Sequence, residues 1–148
     1  MIVVDASVAC KWYLDEPDCD AARALIGART DFIAPDLILA EFTNVAWKRL
    51  SRREISEEQA TAMVDHLPYV LLDIVPCLAL RQTALSIAIA LDHPTYDGFY
   101  IALAMERGLK LVTADKRLLD RVHGTPWEAT VVHIKSAVTG SYAVGDSL

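Results

Sequence analysis

Two short apolar runs in this chain end the same way. "MIVVDASVA" opens it and "LVTADKRLL" lies at residues 111–119. In each, a buried-looking strand leads to an aspartate, Asp5 or Asp115, and then to residues that start a helix. A carboxylate at a strand exit is costly unless something positive meets it. Two further acids stand on segments of otherwise apolar character: Glu41 in "PDLILAEFTNVAWK" and Asp97 in "HPTYDGFYIALAMERG". Each has a plain alternative. Glu41 fits a slim solvent face of its helix, and Asp97 suits a helix N-terminus through the dipole. Gathered in one place, however, four carboxylates could not all ionise without a counter-charge. An all-oxygen set suits Mg²⁺ or Mn²⁺, which bind through a few carboxylates and keep several waters. Such an ion activates water and clamps a phosphodiester, so the chemistry would be that of a nuclease. Ser7 and Thr113 flank the strand-exit acids and could orient a carboxylate or the metal's water. The plainer role for either is a cap or turn hydroxyl, and Thr113 is assigned a supporting role.

The elements needed to gather these acids can be read along the chain. A strand spans Ile2 to Val4, too apolar to alternate, and a helix follows from about Ser7 to Leu14. "CDAARALIGAR" is helical and "DFIAP" is a short strand. Pro35 suits a first helical turn, in a helix running from about Asp36 to Arg52. At about 100° per residue, the apolar residues from Leu37 to Trp47 cover most of its circumference. Glu41, Asn44 and Lys48 then share one narrow stripe, and a helix so apolar should be buried. Ser56 caps the next helix, with Glu58 or Gln59 near the capping-box position. "VLLDIVP" holds a strand and "LALRQTALSIAIAL" a helix. Thr95 is placed to cap a helix over Tyr96–Arg107, which Gly108 ends. "LKLVT" is a buried strand, "KRLLDRV" a helix and "ATVVHI" the last strand. Strands separated by helices imply an α/β fold with a mainly parallel sheet covered on both faces. Ligands in such folds bind at the carboxyl ends of the strands, where Asp5 and Asp115 fall.

Composition narrows the setting. The chain has 148 residues, enough for one domain with a sound core, and 53% of them are hydrophobic. Surplus apolar surface points to a homodimer. No segment approaches the length of a membrane span, and no basic region precedes the first apolar run, so a cytoplasmic protein is expected. Cys10, Cys19 and Cys77 match no zinc or redox spacing and are expected to be reduced and mostly buried. The scattered His66, His93, His123 and His133 are expected in structural or surface roles. A net charge of −6 argues against broad coating of nucleic acid but leaves room for a local basic patch. Lys48, Arg49, Arg52 and Arg53 form one basic cluster, and Lys110, Lys116, Arg117 and Arg121 another. Each taken alone reads as a solvated helix end.

"VVDASV", "PDLILAEFTNVAWK", "YDGFYIALA" and "LVTADKRLL", in this order and spacing, resemble the PIN domain family, and within it the VapC-type toxins of toxin–antitoxin pairs. The resemblance runs from Ile2 to about Ile134. It implies an α/β/α sandwich over residues 1–135, and the C-terminal stretch 136–148, ending in "VTGSYAVGDSL", reads by its composition as a loosely ordered tail. It implies a Mg²⁺- or Mn²⁺-dependent endoribonuclease, dimeric, and a small VapB-type antitoxin that blocks the site. The family's acidic positions match Asp5, Glu41, Asp97 and Asp115. Ser7 and Thr113 fit the hydroxyl positions, and Asn44 fits the polar residue one turn after Glu41. Gly98 departs from the pattern, since alanine is commoner there. Asp92 is an extra nearby carboxylate that is not carried over.

Other metal-binding folds fit less well. A response-regulator receiver needs an acidic pair after the first strand, and a haloacid-dehalogenase-like phosphatase needs a second aspartate where Ser7 stands. A non-catalytic PIN-like module acting through protein partners would be expected to have lost acids, and all four are present.

Overall fold

The computed structural model describes residues 1–140. The elements run β1 (Ile2–Val4), α1 (Ala6–Lys11), α2 (Cys19–Gly27), β2 (Phe32–Pro35), α3 (Leu37–Ser51), α4 (Glu57–Val70), β3 (Leu71–Val75), α5 (Cys77–Leu91), α6 (Thr95–Arg107), β4 (Leu111–Thr113), α7 (Lys116–Val122), β5 (Val131–His133) and α8 (Ile134–Thr139). The five strands form one sheet in the order β3-β2-β1-β4-β5, and every pairing is parallel.

This order dictates the layers. The steps from β1 to β2 and from β2 to β3 move towards one edge. The step from β3 to β4 returns across the sheet, and β5 continues to the other edge. Right-handed crossovers then put α1–α4 on one face and α5–α7 on the other. The packing agrees: α1 meets α2 and α3, and α3 meets α4, while α5 covers α6, which lies on β1, β2 and β4. Helix α8 returns to pack against α2, completing the first layer. Parallel strands covered on both faces should be apolar throughout, and β1, β2 and β4 are buried along their whole length. The expected α/β/α sandwich is therefore the architecture of the chain.

Several local expectations need correction. The first helix is shorter than anticipated, starting at Ala6 with Asp5 as its N-cap and ending at Lys11. Pro35 ends β2 rather than opening α3, since a strand terminus tolerates the missing N–H. Pro94, not Thr95, holds the N-cap position of α6, without a side-chain hydrogen bond. Ser56 and Gln59 do form the capping box of α4. Helix α3 is not buried all round, because Trp47 is 61% exposed and Leu39 also reaches the surface. All three cysteines are free, but only Cys10 is buried. The last strand stops at His133 and Ile134 opens α8, which buries Ile134 and Ala137. Residues 136–139 of the expected loose tail are therefore packed helix, and residues 141–148 of that tail lie outside the described residues.

Candidate active site

The strand order reverses direction between β1 and β4, and a crevice opens at the carboxyl ends of strands at such a switch point. The register Val3↔Leu111 and Val4↔Val112 sets Asp5 beside Thr113. Asp5 is only 5% exposed. Its Oδ1 accepts hydrogen bonds from Ser7 Oγ at 2.6 Å and the Val8 amide at 3.1 Å, and its Oδ2 accepts one from Thr113 Oγ1. Those donors favour the ionised form, but burial outweighs them, and the pKa rises from 3.8 to about 6. The negative charge of Asp97 adds to the rise.

The two hydroxyls bind the strand exits together. Ser7 Oγ also accepts from the Ala114 amide at 3.0 Å, and Thr113 Oγ1 from the Asp115 amide at 3.0 Å. Each donates its single proton to Asp5. Both supporting assignments thus rest on contacts with the buried acid, and the backbone on either side of Ala114 is tied to it.

Glu41 lies in the second turn of α3, partly buried, and Tyr100 Oη donates to its Oε1 at 2.5 Å. Burial pushes the Glu41 pKa up, the tyrosine bond opposes it, and Asp97 pushes it up further. Tyr100 itself is 1% exposed, and its phenol is held far above its usual range by burial and by the charge of Glu41. Asp97 stands in the first turn of α6, where His93 Nε2 meets its Oδ2 at 2.5 Å. The structure thus brings Asp97 within electrostatic reach of both Asp5 and Glu41.

Asp115 is joined to them through Thr113, but its carboxylate also caps α7, accepting from the Arg117 amide at 2.9 Å. Asn44 is exposed, one turn beyond Glu41, and is not drawn into this hydrogen-bonded set. Among the described residues no three Asp, Glu, His or Cys side chains converge closely enough to grip an ion. Each acid instead has its own donor. The donor set still fits a hard divalent cation: it is all oxygen, and its most buried member ionises at a burial cost that a nearby positive charge would offset. Mg²⁺ needs only one or two protein carboxylates when it retains water.

Sequence reasoning missed His93 and Tyr100. Their signal was spacing, since His93 lies four residues before Asp97 and Tyr100 three after it, on the same side of a helix or its entry. Gly98, which looked like a slight loosening of α6, has a packing cause. A Cβ there would lie 2.6 Å from the Ala84 carbonyl oxygen. Helices α5 and α6 approach too closely at this point for a side chain unless one of them shifts.

Comparison with known proteins follows the same lines. The family model described as "PIN domain" matches residues 2–124. Ribonuclease VapC3 of Pyrobaculum aerophilum is 28% identical over 122 residues, covering 81% of this chain and 93% of its own length. Ribonuclease VapC1 of Mycobacterium tuberculosis is 34% identical over 99 residues, 67% of this chain and 73% of the relative. The crystal structure of PAE2754 from Pyrobaculum aerophilum aligns with a TM-score of 0.68 at 21% identity, covering 93% of this chain and 86% of that one. FitAcB from Neisseria gonorrhoeae aligns at 0.60 and 18% identity, covering 90% and 96%. The family match spans most of the chain and the solved structures share its fold, and the chain belongs to the PIN domain family, among its VapC-type members.

Proposed function

We propose that this protein is a Mg²⁺- or Mn²⁺-dependent endoribonuclease and the toxin of a toxin–antitoxin pair. The observation that carries the reading is the buried Asp5 carboxylate at the switch point, held by three donors and standing in the field of Asp97. A folded protein retains so expensive a group where a cation is to be bound. The relatives named as VapC ribonucleases support RNA as substrate.

In this reading Asp5 and Asp97 hold the ion, with Glu41 and Asp115 as further ligands, directly or through water. The bound ion supplies an activated water and offsets charge on the phosphodiester. Ser7 and Thr113 fix the direction of the Asp5 lone pairs. His93 occupies Asp97 Oδ2 and leaves Oδ1 for binding. Tyr100 occupies Glu41 Oε1, so Oε2 is the atom placed to take up a proton.

A VapB-type antitoxin fits the charge of the site. Uncompensated acids on a chain of net charge −6 attract arginine, whose planar fork binds carboxylates bidentately. Homodimer formation is supported by the exposed row of Leu78, Leu85 and Ile89 along α5. Among the described residues no helix is long and apolar enough to cross a membrane, and an RNA substrate implies action in the cytoplasm.

The test is cleavage of single-stranded or looped RNA by purified protein. Activity is expected with Mg²⁺ or Mn²⁺, and its loss with a chelator and in Asp5→Asn. Undiminished cleavage by Asp5→Asn, measured against a mock preparation, would remove the assignment and favour a binding module instead.

A further inference from the structure

Beside the acidic centre lies an open cleft of about 420 Å³, lined by His93, Arg117, Asp120 and Arg121. Two of these residues are tied to the proposed centre. His93 Nε2 meets Asp97 Oδ2, and the Arg117 amide donates to Asp115 Oδ1. An occupant of the cleft therefore sits against residues that are bonded to two of the four acids. Arg117 and Arg121 are exposed, one helical turn apart on α7, with about 5–6 Å between their Cβ atoms. Arg121 donates one hydrogen bond to the Asp92 carbonyl at 2.8 Å. Among the described residues neither arginine forms an ion pair, whereas Arg23, Arg49 and Arg107 all do. Asp120 is the one carboxylate on the cleft wall, set against two guanidinium groups.

The charge balance makes this arrangement meaningful. A polyanion approaching a chain of net charge −6 is repelled overall, and the acids themselves repel it most strongly where cleavage must occur. Local cations beside those acids are what would seat a phosphate chain there. Arginine is better suited than lysine, because its planar fork binds phosphate bidentately.

We propose that this cleft is the seat for the RNA backbone next to the scissile bond, with Arg117 and Arg121 each holding one flanking phosphate and His93 forming the wall between cleft and centre. This rests on the ribonuclease reading and adds the path of the strand to it. The interactions are with phosphate, so they set register and affinity without reading bases.

The probe is a short single-stranded RNA, bound to the Asp5→Asn protein at a series of salt concentrations. For single strands the slope of log K against log salt changes by about 0.7 for each phosphate that is no longer neutralised. Arg117→Ala and Arg121→Ala should each reduce the slope by about that amount. In the otherwise unaltered enzyme, each should raise KM with kcat preserved, since binding of flanking phosphates serves ground state and transition state alike. Arg52→Ala and Arg53→Ala are the charge-matched controls. They follow the C-terminal end of α3 and are exposed, and Arg52 is about 16 Å along the axis from Glu41 at 1.5 Å per residue. They should leave slope and KM unchanged. Arg117→Ala is decisive, because its guanidinium makes no ion pair among the described residues whose removal could disturb the fold. An unchanged slope and KM in Arg117→Ala, or an equal effect in the controls, would overturn the cleft assignment while cleavage itself persists. Failure of the unaltered protein to cleave RNA would overturn the ribonuclease reading instead.

Discussion

Replacing Asp5 with asparagine should change how stability depends on pH, by an amount that follows from the site. The Asp5 pKa rises from 3.8 to about 6 on folding, chiefly because burial disfavours the charged carboxylate. The folded state therefore holds this proton more tightly than the unfolded chain does. Its contribution is fully present below about 3.8 and is lost as pH rises to about 6. At about 1.4 kcal/mol per pKa unit, ionising Asp5 costs about 3 kcal/mol of stability at neutral pH. Asparagine never ionises and escapes that loss. It adds a different cost: its NH₂ group cannot accept a hydrogen bond, and in the orientation that keeps the Ser7 and Val8 bonds the Thr113 hydroxyl is left without its acceptor, at about 1–3 kcal/mol. That second cost is independent of pH, so comparing the two proteins across pH separates the two effects. A domain of this size shifts by about 2–4 °C per kcal/mol. In chelator-containing buffer, Tm of the unaltered protein should fall about 5–10 °C further than that of Asp5→Asn between pH 4 and pH 7, since about 0.5 kcal/mol of the loss has already occurred at pH 4. Circular dichroism melts at half-unit intervals measure this directly. Two Tm curves that stay parallel across the range would show that Asp5 does not ionise at an energetic cost, and the electrostatic account of the site would fail with them.

Two further perturbations test the supports of the acids. Tyr100→Phe removes the donor to Glu41, leaving burial and Asp97 unopposed, so the acidic limb of the pH–activity profile should move to higher pH. An unmoved limb would separate Glu41 from the reaction. Gly98→Ala forces a Cβ against the Ala84 carbonyl and should destabilise the fold by about 1–3 kcal/mol in thermal denaturation, although alanine is the better helix former by about 1 kcal/mol; a gain in Tm would show that α5 and α6 can move apart freely.

Much of this protein is legible along the chain. Apolar runs too continuous to alternate could only be strands covered on both faces, and helical periods between them left a parallel sheet as the economical arrangement. Asp5 and Asp115 stood out as acids at two strand exits, a position that also suits the helix N-caps they form. Local chemistry was readable too where it depends on neighbours in sequence, as in the Ser56–Gln59 capping box. It was misread where position mattered more than preference. Pro35 suits a first helical turn, yet pairing with β3 extends the strand through it. The mean apolarity of α3 suggested burial all round, but which of its apolar residues face solvent depends on the elements packed against it.

Other features required the chain to be folded. The strand order, and with it the switch point, follows from the reversal between β3 and β4, and the residue pattern is the same whichever edge β4 joins. The hydrogen bond from Tyr100 to Glu41 spans 59 positions and that from Thr113 to Asp5 spans 108. No periodicity encodes such a pairing. Asp97 alone reads as an ordinary helix-terminal acid, and Gly98 as a weakness in a helix. Packing against α5 turns the glycine into a requirement, and the fold sets the charge of the aspartate within reach of Asp5 and Glu41. The physical reason is one of range. Propensity, capping and amphipathic period act over a few residues and leave their record in sequence. The pKa of a carboxylate depends on burial and on charges brought from elsewhere, which exist only once the sheet has closed around Asp5.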